Sequence, residues 1–351
     1  MLAAVCHGKK DLRIERVADR PLGVGEVRVA VVFGGICGSD LHYFHSGAVG
    51  DFKVREPLIL GHEISGVVVE VAADVTQLKP GMKAALDPSR PCLLCRYCRA
   101  GRSNLCSNMY FLGSAGRFPH VQGGFAQQLV LRQDQVIAVA EDTDLLKLSV
   151  AEPLSVGLHA VSRAGALTGK RVLVTGSGPI GLLTGRAARH AGAAEIVATD
   201  IAAQPLVVAR QHMGASHTVN VALDPQGLAP YEVDGGYFDV AFEVSGSAAA
   251  LASIFKVIRR GGRIVQVGML PAGSAPVPVN VLQSREIELV GAFRACDEFR
   301  TAVRLIVEGT IDVTAILSGT YPLAQAAMAL EMASDRARFV KLHLALQQGS
   351  A

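Results

Sequence analysis

Four cysteines, Cys92, Cys95, Cys98 and Cys106, fall within one 15-residue stretch, separated by two, two and seven residues. Thiolates at that spacing can close round one tetrahedral zinc. Four sulfur ligands leave no coordination position open, so such an ion holds a small lobe together rather than doing chemistry. Of the seven cysteines, Cys6, Cys37 and Cys296 stand apart from the cluster. A secreted disulfide framework would spread its pairs along the chain, so clustering reads as metal.

A second motif concerns a dinucleotide. Gly176-Ser-Gly178-Pro179-Ile180-Gly181 follows the apolar run Arg171-Val-Leu-Val-Thr175 and opens a helical pattern. At a strand-to-helix turn the first glycine permits the bend and the second admits a pyrophosphate to the backbone N–H groups. The third lets helix and strand pack, and the helix N-terminus adds partial positive charge. Asp200 lies 19 residues past Gly181 at the end of the next apolar run, where a carboxylate can accept from both ribose hydroxyls. That carboxylate repels a 2′-phosphate, and Ile201-Ala-Ala-Gln-Pro205 has no arginine or lysine to hold one. NAD is therefore expected rather than NADP. Val244-Ser245-Gly246 and Val267-Gly268-Met269 are expected to line the same cleft at strand ends.

The third constellation is dispersed. Cys37 sits in Gly35-Ile-Cys37-Gly-Ser39-Asp-Leu-His42, and Gly61-His62-Glu63 follows 25 residues on. Alone, a cysteine or a histidine is ordinarily a satisfied core residue. A nicotinamide enzyme that oxidises an alcohol must also remove a hydroxyl proton with a pKa of about 16, for which a free imidazole is a poor base. An open zinc site brings such a proton to about 7. Cys37 and His62 can begin one.

These residues need a scaffold, and 351 residues imply about two domains. Half the residues are hydrophobic and 19% charged, a globular composition. The 34 basic and 31 acidic residues give a net charge of +3 with no block of one sign, which argues against nucleic acid as a partner. No run approaches the ~18 apolar residues of a membrane helix, and the short opening Met1–Val5 is no signal-peptide core. A cytoplasmic, soluble protein is expected. Residues 1 to 152 read as short strands joined by turns, among them 26–33, 64–71 and two within 125–139. From Pro153 the pattern alternates: helices at 154–165, from the glycine turn to about 190, at 206–213 and at 248–258, and strands at 171–175, 195–199, 238–243, 262–267 and 287–293. That alternation means βαβ units and a parallel sheet, an α/β fold beside a β-rich, barrel-like lobe. A tail over 293–351, with helices at 299–308 and 323–333, is too short for a domain and is expected to return to the first lobe.

In order, the Cys37 segment, Gly61-His62-Glu63, the Cys92–Cys106 cluster, Ala151-Glu152-Pro153 and the Gly176–Gly181 turn resemble the zinc-dependent medium-chain dehydrogenases over essentially the whole chain. The resemblance implies a GroES-like catalytic domain (1–152 with 293–351) and a Rossmann domain (153–292), assembled as a homotetramer. It implies Cys37 and His62 as catalytic zinc ligands. Glu152 stands at the third position, glutamate in the sorbitol dehydrogenase branch. Either Glu152 or Glu63 can bind the metal directly or through water. Ser39 and His42 match the relay that carries the alcohol proton to solvent.

His42-Tyr43, Gly47–Phe52, Phe111–Phe125 and Gly236–Gly246 further resemble the L-idonate-oxidising members of that branch. A sugar acid needs donors for its hydroxyls and a cation for its carboxylate. Tyr43, Lys53, Arg55, Arg117, His120, Phe293 and Arg294 are the candidates, Arg294 matching a substrate-side arginine of the branch. Neutral polyol dehydrogenases, and more distantly L-threonine dehydrogenases, are the alternatives on this scaffold. A zinc-free quinone reductase or a lens-type crystallin has no need of Cys37, His62 and Glu152 together.

Overall fold

Buried apolar runs and glycine turns divide this chain in the computed structural model, which describes residues 1–271 and 273–347. One compact unit comprises Met1–Glu152, Phe299–Asp335 and the strand beginning at Lys341; the other comprises Pro153–Glu298 with Arg336–Val340. The tail over residues 299–335 thus clusters with the first unit, as does the last strand.

The first unit is built on a seven-stranded, mostly antiparallel sheet. Glu26–Gly35 lies at its centre, paired with Glu63–Val71 on one side and with Lys341–Ala345 on the other. Gln128–Arg132 pairs with the opening half of the same central strand. Lys83–Leu86 and Val136–Ala138 extend one edge, and Leu317–Pro322 forms the other. Val27, Val29 and Val31 alternate into the core with no exposure, the period-two pattern of a strand with one buried face. Leu2–Gly8, Asp11–Arg16 and Leu58–Ile59 make a separate three-stranded sheet.

The second unit is a parallel six-stranded sheet. Its order is His217–Asn220, Glu195–Asp200, Arg171–Thr175, Phe238–Glu243, Ile258–Gln266, Glu288–Gly291. The chain leaves Arg171–Thr175 toward one edge and returns beside it at Phe238–Glu243 to build toward the other. At that switch point the strands' carboxyl ends open a crevice, where doubly wound folds take ligands. Val172, Leu173 and Val174 are fully buried between helical layers, as expected of a central parallel strand. No helix of the described residues is long and apolar enough to cross a membrane.

Candidate functional site

Cys37 is the N-cap of the helix Gly38–Ser46, immediately after the central strand Glu26–Gly35 ends. Glu63 opens the neighbouring strand, paired with Gly35, and His62 immediately precedes it. The strand register therefore brings together residues 25 apart in sequence. Ligand atoms of Cys37, His62 and Glu63 lie within 4.8 Å of one another. Glu152, in the first turn of the helix Ala151–Ala164, is outside that tight group but buried, and its charge interacts with all three.

Burial disfavours the charged forms of two of these donors, Cys37 and Glu152. Burial pushes the Cys37 thiol up to about 12, and the neighbouring Glu63 charge adds to it. Burial also lifts the Glu152 carboxyl to about 8, against the opposing pull of His62. His62 is buried, and its Nδ1 has no hydrogen-bond partner among the described residues. A soft thiolate, an imidazole and carboxylates in a dry site suit zinc, which would restore the anionic donors by supplying the missing positive charge.

Two residues that sequence reasoning passed over support this set. Asp40 is fully buried, accepts from the backbone N–H of Cys37 at 2.9 Å and of Gly61 at 3.1 Å, and stands 3.9 Å from His62 Nδ1. It joins the two ligand-bearing segments to one carboxylate. Phe111 packs on the His62 imidazole, ring centroids 5.3 Å apart, and limits its rotation. The Ser39 hydroxyl hydrogen-bonds the Cys37 sulfur. One helical step on, His42 is exposed, so the Ser39–His42 face leads from the half-buried thiol to solvent.

The sulfurs of Cys92, Cys95, Cys98 and Cys106 also converge within 4.8 Å, and all four are free thiols. Backbone N–H groups of Cys92 and Asn108 donate to the Cys106 sulfur at 3.2 and 3.3 Å. Backbone N–H groups of Cys98 and Ser107 pull the Cys95 thiol down to about 5, while burial and the adjoining thiols push Cys98 up to about 12. Leu93 and Leu94, between the first two cysteines, are 62% and 72% exposed. The loop that carries the sulfurs keeps its large apolar side chains in water, so metal must do what a core would.

Substrate candidates divide. The Tyr43 phenol accepts from the Ala115 backbone N–H at 3.0 Å, tying helix to loop. His120 Nδ1 donates to the Arg117 carbonyl at 2.7 Å, and its Nε2 accepts from the Arg55 N–H at 2.9 Å. Both ring nitrogens are thus used in fixing this loop, and none is left for a substrate hydroxyl. The Arg55 guanidinium lies over the Phe118 ring. Arg117 lies over Tyr110, 4.0 Å from the ring centroid, and donates to Asn108. Lys53, at the end of the Ala48–Val49/Phe52–Lys53 hairpin, is exposed. Arg294 has a φ of 56° and stacks its guanidinium on Phe293 at 4.9 Å.

The cofactor motif can be tested by what a side chain would meet. A Cβ at Gly181 would lie 1.8 Å from the Gly176 carbonyl oxygen, so the helix Pro179–His190 approaches the turn only because that position is glycine. A Cβ at Gly178 would meet nothing within 4 Å, which leaves open the space a phosphate needs. Asp200 accepts from the Ser177 N–H at 2.7 Å and the Ala202 N–H at 2.9 Å, fixing its carboxylate at the mouth of the turn.

Two family models match the chain: the alcohol dehydrogenase GroES-like domain over residues 23–141 and the zinc-binding dehydrogenase domain over residues 179–308. An L-idonate 5-dehydrogenase (NAD(P)+) of Escherichia coli K12 is 41% identical over 316 residues, 90% of each chain. The chain belongs to the zinc-binding alcohol dehydrogenase family. Among solved structures, L-idonate 5-dehydrogenase from Escherichia coli superposes with a TM-score of 0.92 at 39% identity, covering 98% of this chain and 97% of that one. Sorbitol dehydrogenase of Bacillus subtilis is 34% identical over 95% of this chain and 93% of its own.

In this zinc-binding dehydrogenase a further residue, Glu243, organises the cofactor loops. It is fully buried at the end of its strand and accepts from the N–H of Ser245 at 2.9 Å and from Gln266 Nε2 at 2.5 Å. The Ser245 hydroxyl also donates to it. Its backbone carbonyl accepts from the N–H groups of Val267 and Gly268, both at 2.8 Å. One glutamate thus fixes both 244–246 and 267–269. No motif pointed to it, because a lone acid at a strand end resembles any other.

Proposed function

We propose that this dehydrogenase oxidises a secondary hydroxyl of a sugar acid with NAD, and that L-idonate, giving 5-keto-D-gluconate, is its substrate. The reaction is reversible: the carbinol loses a hydride to NAD+ and a proton to solvent, yielding ketone and NADH. The observation that carries this reading is the converging set Cys37, His62 and Glu63, with the buried Glu152 carboxyl close enough to feel their charges, in a chain so similar to an L-idonate 5-dehydrogenase.

Cys37, His62 and Glu152 would hold the catalytic zinc, with Glu63 at hand. When bound, zinc supplies a Lewis acid that makes a hydroxyl proton labile near neutral pH. Ser39 Oγ takes that proton and passes it to the His42 imidazole, which releases it to water. Asp40 fixes the backbone of Cys37 and Gly61, so the donors are aimed before substrate arrives. Gly176–Gly181 would hold the pyrophosphate of NAD, with Pro179 and Ile180 in the first helical turn, and Asp200 would accept from its ribose hydroxyls. Ser245, Val267 and Gly268 border it on loops held by Glu243. Lys53, Arg117 and Arg294 are the cations offered to the substrate carboxylate. Cys92, Cys95, Cys98 and Cys106 hold the structural zinc, and a homotetramer is the proposed assembly.

Initial rates of NADH formation at 340 nm test this on zinc-replete protein, with L-idonate, D-gluconate, sorbitol and xylitol. L-Idonate is expected to exceed the neutral polyols in kcat/KM by at least about tenfold, since a site built for a charged group rejects analogues without it. NAD is expected to outperform NADP because of Asp200. Sorbitol or xylitol turning over as well as L-idonate would make this a polyol dehydrogenase, the reading that the sorbitol dehydrogenase relatives favour.

A further inference from the structure

Lys341 opens the last strand, 2% exposed, at a position that no motif marks. Its Nζ donates to the Ile36 carbonyl at 2.9 Å and pairs with the Glu63 carboxylate. The pair closes across Gly35, which lies between the two strands in the sheet: it pairs with Glu63 on one side and with His343 on the other. A Cβ on Gly35 would lie 2.3 Å from Glu63 Oε2 and 3.1 Å from Lys341 Cε, so the two side chains meet in the space glycine leaves. Glu63 is 1% exposed, and its Oε1 has no hydrogen-bond partner among the described residues.

Glu63 is therefore within reach of Cys37 and His62, yet restrained by a buried cation from the other end of the chain. The charges of Glu63, Cys37 and Glu152 all act on that cation. We propose that Lys341 is a positioning residue that acts through Glu63: it holds this carboxylate against the strand, withholds it from the catalytic zinc and so sets how readily that zinc is released. The inference rests on the zinc site proposed above. Loss of the lysine charge favours the zinc-bound form in two ways. It removes a positive charge from the ion's surroundings and frees an anionic ligand to join Cys37 and His62.

Zinc release to a chelator would be followed with a colorimetric indicator, the relevant phase being the one absent in Cys37→Ser. Lys341→Met is expected to slow that phase by about 10- to 100-fold, the range over which groups behind a ligand tune metal affinity. In cobalt-substituted protein the same variant is expected to shift the visible absorption bands, as an added carboxylate changes the coordination. In a Glu63→Gln background Lys341→Met should leave the cobalt bands unchanged and slow release far less, since only the change in charge remains. Unaltered release and unaltered cobalt bands in Lys341→Met would overturn the proposal. Should Lys341→Met alone fail to fold, the double variant with Glu63→Gln is expected to fold, since removing both members leaves no unpaired buried charge. A double variant that also failed would overturn the proposal, because Lys341 would then serve something other than Glu63. Absence of the Cys37-dependent phase from the unmodified chain would overturn the zinc site itself, and this inference with it.

Discussion

Replacing Cys37 by serine is expected to lower kcat for sugar-acid oxidation by about 10³- to 10⁴-fold while leaving the fold intact, the several kcal/mol that a Lewis acid contributes at about 1.4 kcal/mol per tenfold. Serine nearly matches cysteine in shape but cannot become an anionic donor under the same conditions. Cys37 caps a helix whose other anchors, the Asp40 bonds to the Cys37 and Gly61 backbones, do not involve its sulfur. The loss should therefore appear in metal content and rate rather than in secondary structure. Metal analysis by mass spectrometry should find one zinc per chain in place of two, with an unchanged circular dichroism spectrum. Full activity in Cys37→Ser would remove the zinc site from the mechanism.

Cys98→Ser acts on the other metal and should act on stability. The Cys92–Cys106 loop leaves Leu93 and Leu94 in water, so few apolar contacts would keep it ordered once a ligand is lost. Structural zinc in such a lobe supplies much of its folding free energy. The expected result is a melting temperature at least about 10 °C lower. Trypsin should newly cut after Arg96, Arg99 or Arg102, all exposed in this loop. Limited proteolysis with mass mapping reads this directly. An unchanged digestion pattern and melting temperature would mean that packing, not metal, holds the lobe.

What the sequence disclosed follows from where the information lies. The Cys92–Cys106 cluster and the Gly176–Gly181 turn are local, each complete within 15 residues, and so could be read from spacing alone. Arg171–Thr175 and Phe238–Glu243 were legible to the residue because each carries a short buried apolar run, Val172–Val174 and Val240–Phe242, of the kind central parallel strands have. His217–Asn220 was missed: an edge strand of His, Thr, Val and Asn has no run and no alternation. The expected strand at 262–267 begins earlier, at Ile258, because the expected helix at 248–258 ends at Val257 and the strand takes over there. The expected helix at 206–213 begins at Ala203 and widens into a π-helical turn over Ala209–Met213.

The catalytic set is the opposite case. Cys37, His62 and Glu152 span 116 positions; chemistry alone could pair the first two, only a resemblance added Glu152, and the strand register sets Glu63 beside Gly35. Asp40, Glu243 and Lys341 lay wholly outside reach. Their roles depend on which backbone or carboxylate faces them, and that is fixed by pairings such as His343 with Gly35, more than 300 residues apart. His120 shows the converse. Its residue type suited a polyol, but backbone groups on either side of the loop use both its nitrogens.

The most direct measurement is activity against zinc occupancy on the unmodified chain. Stepwise chelation should remove zinc in two phases, and NADH formation from L-idonate should fall in proportion to the phase that depends on Cys37, returning when zinc is added back. Activity that persists after that phase is empty, with the Cys92–Cys106 zinc still bound, would contradict the account.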